Sequence, residues 1–120
     1  MKIALPVTFV KEVPVLCLVF ARARQFMIFD VEKEQSVFLD NPAVSVSGGA
    51  GIVAAQTLID AKVDAVIVPQ CGENAMNVLF GAGIRLFQSV SLNVSENLKA
   101  FQANLLRPVE KTHPGFHSHP

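Results

Sequence analysis

The small-residue segment Gly48-Gly49-Ala50-Gly51 is the part of this chain best suited to binding an anion. It stands where a helix is predicted to begin, so backbone N–H groups are left uncovered and the helix dipole adds partial positive charge. Together with Ala54 it also satisfies G-x-G-x-x-A, the fingerprint of dinucleotide sites. That fingerprint needs an acidic residue about twenty positions on, and the strand there ends in Val68-Pro69-Gln70, which argues against a nicotinamide site. Anion binding and tight helix–sheet packing both remain open as reasons for the glycines.

Cys71 is the second candidate, in the sequence Cys71-Gly72-Glu73-Asn74 between a buried strand and the first turn of a helix. A helix N-terminus lowers the pKa of a thiol, so the position predicts a thiolate that contacts a soft metal or a sulfide. The alternative role is that of a buried small hydrophobic residue. No arginine follows at the spacing of a cysteine phosphatase, and no histidine precedes His113. Nucleophilic catalysis is therefore disfavoured.

An apolar segment from Thr8 to Val19 contains the other cysteine, Cys17, and is followed by Arg22 and Arg24. It is predicted to connect two strands, and such connections usually run over the surface. The segment is therefore either strand-like and buried or an exposed apolar surface for a protein partner. Cys17 is a weaker candidate metal ligand. The two arginines could neutralise an anionic ligand, or they could simply be solvated.

Three histidines, His113, His117 and His119, form an H-x₃-H-x-H pattern. Imidazoles at this spacing can bind Cu(II), Ni(II) or Zn(II). The surrounding proline, glycine and serine residues favour a flexible tail over residues 107–120 instead.

The amino-acid composition limits the class of protein to which this chain can belong. The 120 residues, 51% of them apolar and 17% charged, are enough for one domain with a real core. A net charge of zero and the lack of a basic stripe argue against nucleic acid as the main partner. Two cysteines do not make a disulfide framework, so they are interpreted as reduced thiols in a cytoplasmic protein. Charges and prolines interrupt the apolar N-terminal run, so no membrane span is predicted.

The predicted elements give an α/β domain. Strands are predicted at residues 2–7, 26–31, 35–39, 64–68 and 84–87, and helices at residues 47–61, 72–82 and 93–105. The inner face of the first helix is predicted to carry Ile52, Ala55 and Ile59. This order predicts a five-stranded mixed sheet with helices on both faces and strand one beside strand four. The carboxyl ends of those strands would gather the segment from Thr8 to Val19, the glycines and Cys71 into one cleft.

Several segments together resemble the dinitrogenase iron–molybdenum cofactor biosynthesis family, the nitrogenase cofactor carriers, over residues 1–106. These segments are Lys2 to Val7, Phe20 to Ala23, Phe26 to Asp30, Asn41-Pro42, Gly48 to Ile52, Cys71 to Ala75 and Ala82 to Ile84. The resemblance implies a ribonuclease-H-like three-layer fold over residues 1–106. It implies noncovalent binding of a metal–sulfur cluster for assembly or delivery, and no catalysed reaction. The residues that we predict to bind the cofactor are Arg22, Arg24, Gly48, Gly49, Ala50, Gly51, Cys71, Gly72 and Asn74.

One departure bears on the cluster. The family usually has His-Phe-Gly-Arg where this chain has Val19-Phe20-Ala21-Arg22, so a histidine that could contact a cluster is absent. The chain resembles in size the orange protein branch, which implies a molybdenum–copper–sulfide cluster; an iron–molybdenum-type cluster is the other possibility. The two thiols of one chain are too few to supply the four protein ligands of an ordinary zinc or iron–sulfur site. A bound cluster must therefore bring its own sulfides.

Two further classes of function are alternatives to cluster binding. The first is an interaction module that docks a protein partner on the apolar segment from Thr8 to Val19 and holds no metal. The second is a ribonuclease-H-like nuclease, which needs a carboxylate on the first strand to hold its metal ions. Lys2 to Val10 contains neither aspartate nor glutamate, which disfavours the nuclease.

Overall fold

The computed structural model describes residues 1–110. The strands are β1 (Lys2–Val10), β2 (Val13–Leu16), β3 (Gln25–Asp30), β4 (Gln35–Asp40), β5 (Ala65–Val68) and β6 (Arg85–Gln88). The helices are α1 (Ala50–Asp60), α2 (Glu73–Gly81) and α3 (Val94–Gln102), with two short 3₁₀ helices at Phe20–Arg22 and Pro42–Ser45. His113, His117 and His119 lie outside the described residues.

The six strands form one mixed sheet in the order β4-β3-β1-β5-β6, with β2 paired to the far end of β1. β1 pairs in parallel with β5, which confirms that the first strand neighbours the strand before α2. The antiparallel neighbours of β1 are β2 and β3.

The predicted count of five strands is wrong because much of the segment from Thr8 to Val19 is not a loop. β1 continues to Val10, turns through Lys11 and Glu12, and returns as β2. Both turn residues have positive φ, 49° and 68°, as a tight two-residue hairpin turn requires. The segment is therefore strand-like over most of its length, but it is not buried throughout, because Val10 and Val13 at the turn are 56% and 58% exposed.

The sheet is covered by helices on both faces, which confirms the predicted layering. Alternate residues of the central strands point to opposite sides of a sheet. Ala4, Val66 and Leu86 pack in the core under α1 and α2. Their neighbours Ile3, Ile67 and Phe87 pack in the core under α3. The molecule is therefore a three-layer α/β domain.

The helix limits follow local signals, but one helix face differs from the prediction. The Asn93 side chain accepts a hydrogen bond from the Glu96 N–H at 2.8 Å, which confirms the predicted cap of α3. Gly83 ends α2 with φ of 79°. In α1 the buried residues include Leu58, whereas Ile52 is 46% exposed and does not belong to the inner face. The reason is that Ala54, Ala55 and Leu58 form the inner face of α1, and Ile52 lies roughly 110° around the helix from the centre of that face.

The C-terminal part of the described chain returns to the sheet. Gln88 N–H donates to the carbonyl of Arg107, and Val109 N–H donates to the carbonyl of Leu86. Residues 107–109, just past the predicted domain boundary at 106, thus pair with the outer edge of β6. Among residues 1–110 there is no helix with the length and apolar character needed to cross a membrane.

Candidate functional site

A cavity of about 670 Å³ opens between the starts of α1 and α2. Three segments line it: residues 19–21 at the first 3₁₀ helix, residues 49–51 at the start of α1, and residues 70–75 at the start of α2. The last of these follows the carboxyl end of β5, where ligands of open α/β sheets usually bind. Of the candidate residues, Gly49, Ala50, Gly51, Cys71, Gly72 and Asn74 all line this cavity.

Both helices present uncovered backbone N–H groups to the cavity. No side chain caps either N-terminus, where Gly49 and Gly72 are the residues before the first turn. The first backbone hydrogen bonds are donated by Ile52 and by Met76. The N–H groups of residues 50, 51 and 73–75 therefore have no acceptor among residues 1–110. Two converging helix N-termini form an electropositive, donor-rich surface suited to an anion.

Two glycines are needed for this geometry. Gly49 has φ of 70°, in the left-handed region that glycine adopts without strain. A Cβ at Gly51 would lie 3.3 Å from the Cβ of Ala75, so Gly51 lets α1 approach the first turn of α2 closely. The packing and anion-binding explanations of the glycines are thus compatible, because the close approach is what brings the two N-termini together.

The thiol of Cys71 differs from the prediction. Burial raises its pKa to about 11, because desolvation disfavours the thiolate. The side chain packs against the core under α1 and α2. The sequence position predicted a lowered pKa, but desolvation by neighbouring core residues has the opposite effect. Cys71 is therefore protonated at neutral pH, and a metal that bound its sulfur would have to displace the proton.

Alkylation of Cys71 by iodoacetamide is expected to be slow at pH 7 and to accelerate about tenfold per pH unit towards pH 11, because only the thiolate reacts. The measurement is mass spectrometry of the Cys71 peptide after timed alkylation of the folded protein. The control is the same peptide in urea, where the desolvated environment is lost and alkylation should level off at lower pH. A folded-state rate that levels off below pH 9 would contradict the raised pKa.

The charged groups around the cavity are fewer than expected. Arg22 and Arg24 are both exposed and neither lines the cavity. The Arg24 guanidinium instead lies 5.8 Å from the centre of the Phe9 ring on β1, a cation–π contact. One carboxylate, Glu73, stands in the cavity lining at the first turn of α2. Attraction of an anion to the lining therefore comes from backbone N–H groups rather than from arginine.

The remaining candidate ligands lie elsewhere. The Cys17 Sγ donates to the carbonyl of Val19 at 3.4 Å, and Cys17 does not line the cavity. Within residues 1–110 there is no group of three histidine, cysteine, aspartate or glutamate side chains close enough to hold a metal ion.

Asn41 is a positioning residue whose role the sequence did not reveal, although Asn41-Pro42 is one of the family-like segments. Its buried amide donates to the carbonyls of Ala21 and Ala23 at 3.2 and 2.9 Å. Its oxygen accepts from the Ala43 N–H at 3.0 Å. These bonds tie the two 3₁₀ helices together and hold residues 19–21 as one wall of the cavity. Asparagine is common where a strand ends, so only the tertiary contacts identify Asn41 as a positioning residue.

Solved structures share this fold along nearly the whole chain. The apo form of the orange protein from Desulfovibrio gigas superposes with a TM-score of 0.84 at 24% identity, covering 93% of this chain and 95% of the other. A NifB-like protein from Thermotoga, placed in the DUF35 family, gives a TM-score of 0.76 at 26% identity, with 95% and 98% coverage. The likeness of fold therefore extends beyond the cavity to the full domain.

Sequence comparison agrees with the structural one. An uncharacterized protein of Methanocaldococcus jannaschii is 28% identical over 113 residues, covering 92% of each chain. The family model described as dinitrogenase iron-molybdenum cofactor matches residues 1–104, which include every segment that lines the cavity. With a match of this extent, the chain belongs to the dinitrogenase iron-molybdenum cofactor family.

Proposed function

We propose that this protein binds a metal–sulfur cluster in the cavity between α1 and α2 and carries it for assembly or delivery. Membership of the dinitrogenase iron-molybdenum cofactor family supports a role in binding or building such a cofactor. The observation that carries the proposal is the pair of uncapped helix N-termini that meet at one cavity. In this proposal the protein is a carrier and not an enzyme.

The cavity suits a cluster that brings its own sulfides. Five backbone N–H groups at residues 50, 51 and 73–75 can donate to sulfide or oxide atoms, while Phe20 and Ala75 supply apolar walls. Sulfide is a soft, diffuse anion, so a partly apolar pocket with neutral donors accommodates it better than a hard-ligand cage does. The Cys71 thiol is beside the donors as an optional soft contact.

The cluster proposed here is anionic and contains molybdenum, either of the molybdenum–copper–sulfide type or of the iron–molybdenum type. Val19 lines the cavity at the position where the family usually has histidine, so no imidazole is available there. Copper whose ligands are bridging sulfides needs no imidazole ligand and can lie next to a thiol. Both properties favour the molybdenum–copper–sulfide type. The two unpaired cysteines fit a reducing cytoplasm, where we place the protein.

The direct test is reconstitution of the purified protein with tetrathiomolybdate and Cu(I). Desalting followed by metal analysis and charge-transfer absorbance should show molybdenum and copper retained at a constant ratio. The same protein unfolded in urea and treated in parallel controls for retention by its thiols without the folded cavity. Loss of all metal on desalting would contradict cluster binding. Uptake that is abolished by Cys71→Ser alone would indicate ordinary thiolate ligation instead of noncovalent binding.

Charge variants should change retention in opposite directions. Glu73→Gln removes the one carboxylate of the cavity lining and is expected to slow cluster loss about threefold to tenfold at low salt. Arg22→Ala with Arg24→Ala is expected to speed cluster loss only slightly, because both side chains stand outside the lining. Both effects should fade at 1 M salt, since exposed charges are screened. Dissociation followed by absorbance measures both, and faster loss from Glu73→Gln would contradict an anionic cluster.

Exposed apolar side chains next to the cavity offer a surface for the protein that receives the cluster. Leu18 and Val19 follow β2, and Ile52 stands in the first turn of α1; all three are exposed. The proposed delivery surface is therefore the end of the apolar segment from Thr8 to Val19, together with Ile52. The same surface is the basis of the second candidate function, a protein-interaction module without metal. That alternative predicts a partner that binds equally well with and without the cluster.

A further inference from the structure

Two of the three open edges of the sheet are covered by neighbouring chain. Residues 107–109 pair with β6. The segment before α3 covers β2, where Leu16 N–H donates to the carbonyl of Leu92 and Val15 pairs with Asn93. Within residues 1–110 nothing pairs with the outer edge of β4. An uncovered edge strand is a template for another strand.

The hydrogen-bond alternation identifies which backbone groups of β4 are free. Asn41 N–H donates to the carbonyl of Arg24, which extends the β3–β4 register by one pair. Hydrogen-bonded pairs alternate along an antiparallel ladder, so Val37 and Leu39 direct their N–H and C=O groups towards β3. Those of Ser36, Phe38 and Asp40 point outward.

Apart from Asp40 at its carboxyl end, the side chains of β4 lack the usual protection of an edge. Val37 is 62% exposed and Phe38 is 46% exposed, on opposite faces of the strand. Residues 35–40 contain no lysine and no proline, and six consecutive pairs with β3 leave no bulge. Charged or proline residues and bulges are the features that natural edge strands use to prevent pairing.

We propose that β4 pairs antiparallel with β4 of a second copy of this chain, with Phe38 opposite Phe38 about a twofold axis. This register joins the outward-pointing backbone groups and places Val37 beside Leu39 and Ser36 beside Asp40 of the second copy. No like charges then face each other. A register centred on Val37 would oppose inward-pointing backbone groups and would put Glu34 against Asp40 of the second copy. Charge and backbone direction thus select the same register.

Sedimentation velocity of the full chain over a concentration series tests the proposal. The wild-type protein should shift from monomer to dimer as concentration rises, because the two copies are held by one strand pair. Phe38→Lys should remain monomeric at every concentration while its circular dichroism stays native. Val90→Lys is the matched control, since Val90 is 59% exposed and lies away from β4; it should dimerise normally. A wild-type monomer throughout, or a dimer that survives Phe38→Lys, would overturn the proposal.

A cysteine crosslink tests the register. Opposed residues of a hydrogen-bonded pair have Cα atoms about 5.5 Å apart, within reach of a disulfide. In a Cys17→Ser, Cys71→Ser background, Phe38→Cys should form a covalent dimer on mild oxidation, and Val37→Cys should form far less. Equal crosslinking at both positions, or crosslinking at Val37→Cys alone, would refute pairing centred on Phe38.

Discussion

Replacing Phe20 with alanine is expected to lower the free energy of unfolding by about 3–5 kcal/mol. The ring is 1% exposed and lies 5.4 Å, centre to centre, from the ring of Phe26 on β3. Its removal forfeits apolar burial and leaves a void that a 3₁₀ helix tied down by Asn41 cannot fill by collapse. The loss is a large part of the roughly 5–15 kcal/mol that stabilises an ordinary domain.

Urea unfolding followed by circular dichroism measures this loss. Val19→Ala, at the exposed neighbouring position, is the control and should change stability by no more than about 0.5 kcal/mol. Phe20→Leu keeps most of the apolar volume, should cost less than alanine, and remains measurable if the alanine variant does not fold. A loss below about 1 kcal/mol for Phe20→Ala would mean that the cavity wall is not packed as described.

Gly51→Leu is expected to reduce cluster retention at least tenfold, an effect that rests on the proposed function. A Cβ at this position already meets the Cβ of Ala75 at 3.3 Å, so the longer side chain must separate α1 from α2 or occupy the cavity. Either outcome moves or blocks the N–H groups of the two helix starts. Overpacking should also cost roughly 1–3 kcal/mol of stability, partly offset by about 1 kcal/mol from replacing glycine within a helix.

Gly81→Leu is the matched control, because Gly81 is also helical and a Cβ there meets nothing within 4 Å. It should retain the cluster like the wild-type protein and gain a little stability. Retention measured by absorbance after desalting separates the two variants. If Gly51→Leu is destabilised but holds the cluster normally, the helix contact is correct and the cluster lies elsewhere.

Local patterns were sufficient for most of the fold. Buried strands such as β5 are short continuous apolar runs, and α3 carries its cap in Asn93 and Glu96, so each was predictable from its own residues. The hairpin of β1 and β2 was missed because its turn uses Lys11 and Glu12 with positive φ, where glycine or asparagine usually signals such a turn. The exposure of Ile52 was missed because apolar spacing alone does not show which side of a helix faces the sheet, and Ala54, Ala55 and Leu58 face it instead.

By itself, the sequence determined the three-layer α/β architecture and the resemblance to the cofactor family, and it placed the glycines and Cys71 among the candidates. These features depend on short-range periodicity, helix caps and motifs, all of which are recognisable from residues close together in the sequence. Only the tertiary structure decided the electrostatics of the site. The pKa of Cys71 rises because core residues distant in sequence desolvate the thiol, overriding the helix N-terminus beside it. Arg24 stands over the Phe9 ring, outside the cavity lining, because its N–H donates to the carbonyl of Val7 and so holds Arg24 beside the same part of β1.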